Sequence, residues 1–177
     1  MAAVIEPASK LPSAELVELR DLRSVELEDL LREDIGVWRD SLEWDFHASA
    51  ELVERFVDQR ALSGYALIER GKVFGYAYYV NDEHKGLIGD LYVRRARRTP
   101  EHEYRLLAAV IEALMRTPYV TRIETQLMMF GPDRASMPAG GFFKAYGRNF
   151  MRIPLELVAP LRPVPPADNI YFAPWED

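Results

Sequence analysis

The stretch that decides the fold is LIGDLYVRRARRTPEHEYRLLAAVIEAL, residues 87–114. It begins with an apolar run typical of a buried strand and continues through four arginines in five positions. Thr99, Pro100 and Glu101 then carry the signals of a helix start: a capping hydroxyl, proline in the first helical position and an acid in the first turn. Apolar spacing after them indicates an amphipathic helix lying on a sheet, with Tyr104, Leu107, Ala108, Ile111, Leu114 and Met115 on one face.

A strand follows this helix, because VTRIETQLMMF at 120–130 alternates apolar and polar side chains. Strand, helix and strand in succession imply a parallel pair inside a mixed sheet. We therefore predict that 87–93 and 120–129 are parallel neighbours that splay apart at their C-terminal ends.

The residues before this stretch predict a strand, two helices and a hairpin. The strand lies at 14–22, the helices begin near Ser24 and Ser49 as N-caps, and the hairpin at 64–80 turns around Arg70 and Gly71. The second helix is expected to bury Leu52, Phe56, Val57 and Leu62. After 130, the pattern predicts a short helix at 142–146 and a last strand at 150–158. The expected domain spans 14–158, between a flexible leader at 1–13 and a proline-rich extended tail or connector at 159–177.

Composition narrows the class of protein. The chain has 177 residues, 49% of them hydrophobic, and contains no cysteine and three scattered histidines. There is accordingly no disulfide framework or thiolate nucleophile, and no spacing typical of metal ligands. The sequence lacks a basic leader and any long apolar segment, so we expect a cytoplasmic protein with no membrane partner.

The net charge of −6 argues against a general nucleic-acid binder, but charge is unevenly distributed. Residues 24–54 carry ten acids against two arginines, whereas 94–116 carry six arginines against three acids. These runs are either two solvated helix faces or one surface that attracts cations and another that attracts anions. Nucleic-acid or nucleotide binding would account for the arginines at 94–116 but not for the acidic remainder of the chain.

The order of elements around 87–114 resembles that of the GNAT acyltransferase superfamily, over about residues 14–157. The resemblance implies an α/β fold, with a mixed sheet of about six or seven strands flanked by helices on both faces. It also implies acetyl-CoA, or another acyl-CoA, as cofactor. In that family a strand ending in valine leads into a loop of pattern R/Q-x-x-G-x-G/A, which binds the cofactor's pyrophosphate.

Aligned without a gap, the family's valine becomes Val93 and its arginine becomes Arg98. The resemblance assigns cofactor binding to the strand end and loop: Leu91, Tyr92, Val93, Arg95, Arg98 and Thr99. The two glycine positions are Glu101 and Glu103, whose bulk and charge oppose an anion beside them. Two interpretations stay open: a helix entrance that supplies its own anions, or a loop that binds phosphates through arginine side chains.

The catalytic positions implied by the resemblance are Asp90 and Tyr146. A carboxylate on the fourth strand often removes a proton from the amine, and Asp90 is the candidate, although it is equally a strand-end acid. A tyrosine in the later helix often protonates the leaving thiolate. Phe143 occupies that place here, so Tyr146 substitutes only in a rotated helix and is otherwise a packed aromatic.

The acceptor pocket in similar proteins is shaped by the segment between the first helices. Here that segment holds Trp44, Asp45 and His47, which would bind a basic amine, either a small molecule or a peptide, by charge and cation–π contact. Packing between helices is the competing interpretation of these residues.

The sequence therefore predicts an N-acetyltransferase that transfers an acyl group from acyl-CoA to an amine, with a cofactor loop and general acid that have both diverged. The alternative is a non-catalytic scaffold or ligand-binding domain. The tail, with Ile170 and Trp175, resembles the connector of tandem acetyltransferases. A second GNAT domain or a homodimer formed through this tail is the expected partner, and a tail that wraps its own sheet is the competing interpretation.

Overall fold

The computed structural model describes residues 14–130, 137–147, 149, 151–154 and 156. The chain divides into two compact units, 1–144 and 145–177. The first unit contains all the helices and strands given below.

Three α-helices and five β-strands form the first unit. The strands are β1 (Glu15–Glu18), β2 (Ser63–Glu69), β3 (Lys72–Asp82), β4 (Lys85–Val93) and β5 (Arg122–Thr125). The helices are α1 (Ser24–Leu42), α2 (His47–Asp58) and α3 (Pro100–Arg116). Single 3₁₀ turns occupy Leu19–Asp21, Arg95–Arg97 and Gly140–Phe142.

The strands form one mixed sheet in the order β1-β2-β3-β4-β5. The first four are antiparallel, and β5 lies parallel to β4 after the crossover through α3. The predicted parallel pair is thus confirmed. Its ladder ends at the pair Ile88 and Thr125, while β4 continues to Val93. Five strands are present in the described residues, slightly fewer than the six or seven expected.

Helices cover both faces of the sheet, as predicted. On one face α1 and α2 bury their apolar stripes against Ala66, Val73 and Tyr76. On the other face α3 packs against Phe74, Ala77 and further strand residues. Side chains of β2 alternate between the two cores, whereas a bulge at Phe74 shifts the alternation in β3, so that Val73 and Tyr76 share one face and Phe74 and Ala77 the other.

A bulge at Gly89 changes which face the end of β4 presents. Tyr78 pairs with Asp90 and Tyr79 with Ile88, so Gly89 is the extra residue. Ile88 and Leu91 both lie in the core under α3, which the bulge makes possible by reversing the alternation. A Cβ at Gly89 would come within 2.1 Å of the Tyr78 ring, so a larger residue there would have to displace that ring. As a result Asp90 faces α1.

The hairpin between β2 and β3 turns at Arg70 and Gly71, as predicted. Both residues have positive φ, 49° and 72°. Two left-handed residues in succession match the right-handed twist of the strands they join, and glycine takes this conformation without strain.

Helix boundaries differ from the expected ones in α1 and α2. The predicted N-caps are wrong: Ser24 is the first residue of α1, after the cap Arg23, and Ser49 lies inside α2, after the cap Phe46. Arg23 N–H instead donates to Glu26, and the Ser24 hydroxyl donates to Asp58. The buried face of α2 is Ala50, Val53 and Val57, whereas Leu52 and Phe56 are exposed.

Two late elements were also predicted wrongly. The expected helix at 142–146 is a 3₁₀ turn at Gly140–Phe142, followed by irregular chain. In the expected strand at 150–158, the described residues 151–154 are irregular. The leader at 1–13 and the tail at 159–177 lie outside the described residues, so the expectations for them stay predictions.

Candidate functional site: a buried acid pair beside an arginine loop

Three polar side chains meet between α1 and the sheet. The Tyr76 hydroxyl on β3 lies 2.9 Å from Asp34 Oδ2 of α1 and 3.2 Å from Asp90 Oδ2 of β4. Asp34 and Tyr76 are fully buried, and Asp90 is 4% exposed. We call these three residues the acid cluster. It joins one helix and two strands through groups that solvent does not reach.

The hydrogen-bond geometry of the acid cluster requires a proton on one of its carboxyls. A tyrosine hydroxyl has one hydrogen, and here it faces two carboxyl oxygens. An ionised carboxylate only accepts, so the second contact is a hydrogen bond only when that carboxyl is protonated. Two carboxylates buried together would also repel each other with little solvent screening. Asp34 and Asp90 therefore share one proton at neutral pH.

Burial raises the pKa of both acids. It is the main cause for Asp34, whose pKa rises to about 8, with the charge of Asp90 adding to the effect. Burial also raises the pKa of Asp90, to about 6, against hydrogen bonds from the Leu91 N–H and Tyr76 that favour the carboxylate. The proton consequently resides mainly on Asp34, which donates it to the Tyr76 oxygen, and the Tyr76 hydroxyl in turn donates to Asp90, which carries the charge. Burial and the same acids raise the pKa of Tyr78 to about 12, so it stays neutral.

The indole of Trp38 completes this region. Trp38 Nε1 and Asp34 Oδ1 are both buried and have no hydrogen-bond partner that satisfies distance and angle. The indole nevertheless favours the ionised form of Asp34 and lowers its pKa slightly against the effect of burial. Trp38 stacks on Phe46 at 4.7 Å between ring centroids, which fixes the indole plane.

The loop after β4, residues 94–99, lies beside this cluster and is contacted by Glu33, the residue before Asp34 in α1. Glu33 Oε1 accepts the Arg95 N–H at 2.7 Å and the Tyr92 hydroxyl at 2.8 Å. Its second oxygen lies 3.4 Å from Arg94 Nε. Backbone N–H groups ahead of a helix often bind anions. Here the Arg95 N–H, ahead of α3, is already bound by the carboxylate of Glu33.

Two more arginines of the loop pair with acids of the same chain. Arg97 binds Glu69 of β2 at 2.5 Å, which lowers the pKa of Glu69. Arg98 binds Glu103 of α3 at 2.5 Å and donates to the Met129 carbonyl at 2.7 Å. Glu103 is 2% exposed, and Arg98 is the counterion of this buried side chain. Of the two interpretations of the loop, the contacts match a helix entrance that supplies its own anions.

The predicted cofactor residues fall into two groups. Leu91, Tyr92 and Val93 are buried in the sheet, with Leu91 and Val93 on the face of α3 and Tyr92 on the face of α1. Arg95 is exposed and Arg98 half-buried in the loop. Thr99 caps α3 as predicted, its hydroxyl accepting the His102 N–H at 3.2 Å. Their cofactor role stays a prediction.

The predicted acceptor residues lie at the connection between α1 and α2. Asp45 accepts the His47 N–H at 3.1 Å and contacts the His47 ring at 2.7 Å, where α2 begins. Trp44 is half exposed beside them. Tyr146, the predicted general acid, is 79% exposed on irregular chain rather than in a helix.

The sequence reasoning missed Asp34, Glu33 and Tyr76. A signal for Asp34 was present, because the buried stripe of α1 is Leu27, Leu30, Leu31, Asp34, Val37 and Trp38. An acid at a position where helical spacing places an apolar side chain is a candidate for a buried, paired carboxyl. Tyr76 lies in an aromatic run and carries no comparable signal.

The architecture is that of the GNAT acetyltransferases, and solved structures show the likeness. An aminoglycoside N-acetyltransferase, AAC(6')-Iy, in complex with CoA aligns with a TM-score of 0.54 at 13% identity, over 83% of this chain and 99% of that one. A Trypanosoma brucei acetyltransferase aligns with a TM-score of 0.51 at 16% identity, over 80% and 99%. At such identities the likeness establishes the fold.

Sequence comparison adds no closer relative. No protein-family profile and no curated protein sequence matches the chain. Within the described residues there is no helix long and apolar enough to cross a membrane. The same residues contain no group of three or more His, Cys, Asp or Glu side chains arranged to hold a metal ion.

Proposed function

We propose that this chain is a degenerate N-acyltransferase domain: it keeps the GNAT fold, but its anion loop is closed by its own carboxylates and it does not transfer an acyl group alone. The observation that carries the proposal is the pairing of Arg94, Arg97 and Arg98 with Glu33, Glu69 and Glu103. A diphosphate entering the loop would have to displace carboxylates that already neutralise these arginines.

The position of Asp90 supports the same proposal. A general base must come within hydrogen-bond reach of the proton it removes. Asp90 instead lies under α1, hydrogen-bonded to Tyr76 and to the Leu91 N–H. An amine substrate reaches this carboxylate only after α1 moves.

A domain of this kind fits the expected role of a non-catalytic partner beside a second GNAT domain. Its contribution would then be structural, through exposed surface rather than chemistry. The tail proposed to make that contact lies outside the described residues, so this part rests on the sequence alone.

The second candidate function is an active N-acyltransferase that uses acyl-CoA and an amine. Two observations favour it: the raised pKa of Asp90, about 6, and the early end of the β4–β5 ladder. A base that titrates near neutral pH is suited to proton abstraction. Beyond Ile88 the edge of β4 offers backbone groups that an extended ligand such as a pantetheine arm would bind as an added strand.

Calorimetric titration with acetyl-CoA tests the proposal. We expect negligible binding by the native chain. Replacing Glu101 and Glu103 together by glycine should tighten binding by about 1–2 kcal/mol, since like charge and bulk are both removed beside the anion. Glu103→Gln keeps the size and removes only the charge, and Glu112→Gln, an exposed change on the same helix, is the matched control.

Turnover distinguishes the two candidates. Acetyl transfer to simple amines by the native chain alone, abolished in Asp90→Asn, would establish the active enzyme and refute the degenerate one. Tight acetyl-CoA binding by the native chain, unchanged in the double glycine variant, would refute the account of the loop.

A further inference from the structure

Helix α1 is joined to the sheet by one fully buried polar contact, the acid cluster. Asp34 comes from the middle of α1, while Tyr76 and Asp90 come from adjacent strands β3 and β4. The other buried residues of α1 are apolar and contribute contacts without charge. The hydrogen bonds of the cluster are therefore the part of this interface that depends on protonation.

The cluster is complete only with one carboxyl protonated. With both acids ionised, two carboxylates would face a single phenol hydrogen in a region without solvent access. Only one of them could then accept from Tyr76, and the two charges would repel each other in low dielectric. The favourable response is for one carboxyl to reach water.

The groups packed around the cluster do not supply a replacement charge. From α1 they are Glu33 and Trp38, from β3 Tyr78, and from β4 Tyr92. Tyr92 donates to Glu33, and the adjacent Arg94 also faces Glu33. Arg95 approaches through its backbone N–H, which Glu33 accepts as well. The surroundings thus offer one further acid and aromatic groups that stay neutral.

From this geometry we infer that Asp34, Tyr76 and Asp90 form a proton-dependent latch, which holds α1 on the sheet at acidic and neutral pH and releases it at alkaline pH. Release would uncover Asp90 and withdraw Glu33 from the Arg95 N–H, because both contacts depend on α1. Glu33 and Asp34 are consecutive residues, so one helix movement opens both regions. This inference holds whether or not acyl-CoA binds.

Carbon-13 NMR of the aspartate carboxyls tests the shared proton directly. The native protein should show two resonances that titrate far above the ordinary aspartate range. Asp34→Asn should remove one of them and return the other towards acid pH, because the amide carries permanent hydrogens. Asp29→Asn, an exposed change on the same helix, should leave both in place. Two aspartates titrating normally in the native protein would overturn the inference.

Hydrogen exchange tests the release of α1. Between pH 6 and pH 8, after correction for intrinsic rates, the opening equilibrium constant of α1 amides should rise by up to tenfold per pH unit for one lost proton, and it should level off above the pKa of the pair. Amides of α3 should stay protected, and Asp34→Asn should make α1 insensitive to pH. Equal loosening of α1 and α3, or α1 loosening that persists in Asp34→Asn, would overturn the latch. An α1 that stays closed through pH 9 would do the same.

Discussion

The arginine loop and the acid cluster are neighbours that neutralise carboxylates in opposite ways. In the loop, Glu69 and Glu103 are balanced by arginines: the Arg97–Glu69 pair is partly exposed, whereas Glu103 is buried and paired with Arg98. In the cluster, Asp34 and Asp90 meet each other in the core, and a proton replaces the counterion.

The difference determines where pH acts on this molecule. An arginine keeps its charge throughout the accessible pH range, so ion pairs of the loop survive alkaline conditions. A shared proton is lost when the pH passes the pKa of the pair. We therefore expect alkaline pH to change the α1 side of the sheet and leave the α3 side intact.

The largest effect is expected from removing the counterion of the buried glutamate. Arg98→Ala leaves Glu103, only 2% exposed, without its partner and removes the hydrogen bond to the Met129 carbonyl. Breaking a buried pair on one side costs about 3 kcal/mol or more of the free energy of unfolding. Denaturant unfolding measures this loss.

The matched control for that variant is Arg95→Ala, in the same loop. Its side chain is exposed, and its contact with Glu33 runs through the backbone N–H, which the substitution keeps. We expect a change within about 0.5 kcal/mol. Equal losses in the two variants would mean that Glu103 is not held by Arg98.

A smaller effect is expected from Tyr76→Phe, which removes the hydroxyl between the two acids. The phenyl ring still fills the core, but Asp90 loses the hydroxyl that donates to it and the protonated Asp34 loses its acceptor. Leaving a buried polar group unsatisfied costs about 1–3 kcal/mol. Tyr104→Phe, an exposed change on α3, is the control and should alter stability little. No loss in Tyr76→Phe at pH 7 would show that the acids bind each other without the phenol.

The pH dependence of the free energy of unfolding distinguishes the acid cluster, which needs a proton, from the loop, whose acids are paired with arginines. Asp34 has a raised pKa in the folded chain, about 8 against an ordinary 3.8, so the folded state holds a proton that the unfolded state releases. The resulting stability is fully present below pH 3.8 and is lost as pH rises through about 8. The free energy of unfolding should fall by about 1.4 kcal/mol per pH unit inside this window.

Between pH 6 and pH 8 other acids do not obscure that slope, because Asp90, whose pKa is raised to about 6, adds to it only at lower pH. The pKa values of Asp58 and Glu69 are lowered, by the Ser24 N–H and by Arg97 respectively. Stability from such groups is lost only as pH falls through their folded pKa, on the acid side, and it is constant at neutral pH. Asp34→Asn should flatten the curve from pH 6 to pH 8, whereas Asp29→Asn should keep its slope.

The smallest effect is expected from an exposed ion pair on α1. Arg32 contacts Glu28 at 2.6 Å and Asp29 at 2.9 Å, but all three side chains are more than half exposed. Arg32→Ala should cost about 0.5 kcal/mol or less, and the cost should decline with added salt. A loss of stability as large as that of Arg98→Ala would contradict the claim that a buried ion pair contributes more than an exposed one.

Much of the fold could be predicted because its signals are local. The hairpin at Arg70–Gly71, the capped start of α3 at Thr99 and the strand on each side of that helix are all visible in short windows. The predicted face of α3 was partly wrong, since Tyr104 and Met115 are exposed while Leu106 and Val110 are buried. An error of one position in a 3.6-residue period is enough to rotate a face in this way.

The acid cluster could not be predicted for a different reason. Asp90 faces α1 only because the bulge at Gly89 reverses the alternation of β4, and a bulge depends on how two strands pair. Asp34 and Tyr76 are 42 residues apart, and their contact depends on how α1 lies across the sheet. The glutamate partners of the loop arginines likewise come from α1, β2 and α3.

The order of the strands has a consequence for how the chain folds. Strands β2, β3 and β4 are neighbours in sequence and in the sheet, whereas β1 pairs with β2 across both α1 and α2. Closing that long segment loses chain entropy before any contact compensates for it. We expect the β2–β4 meander in the transition state and β1 docking after it. Val17→Ala should then accelerate unfolding and leave the refolding rate unchanged, whereas Ala77→Gly should slow refolding.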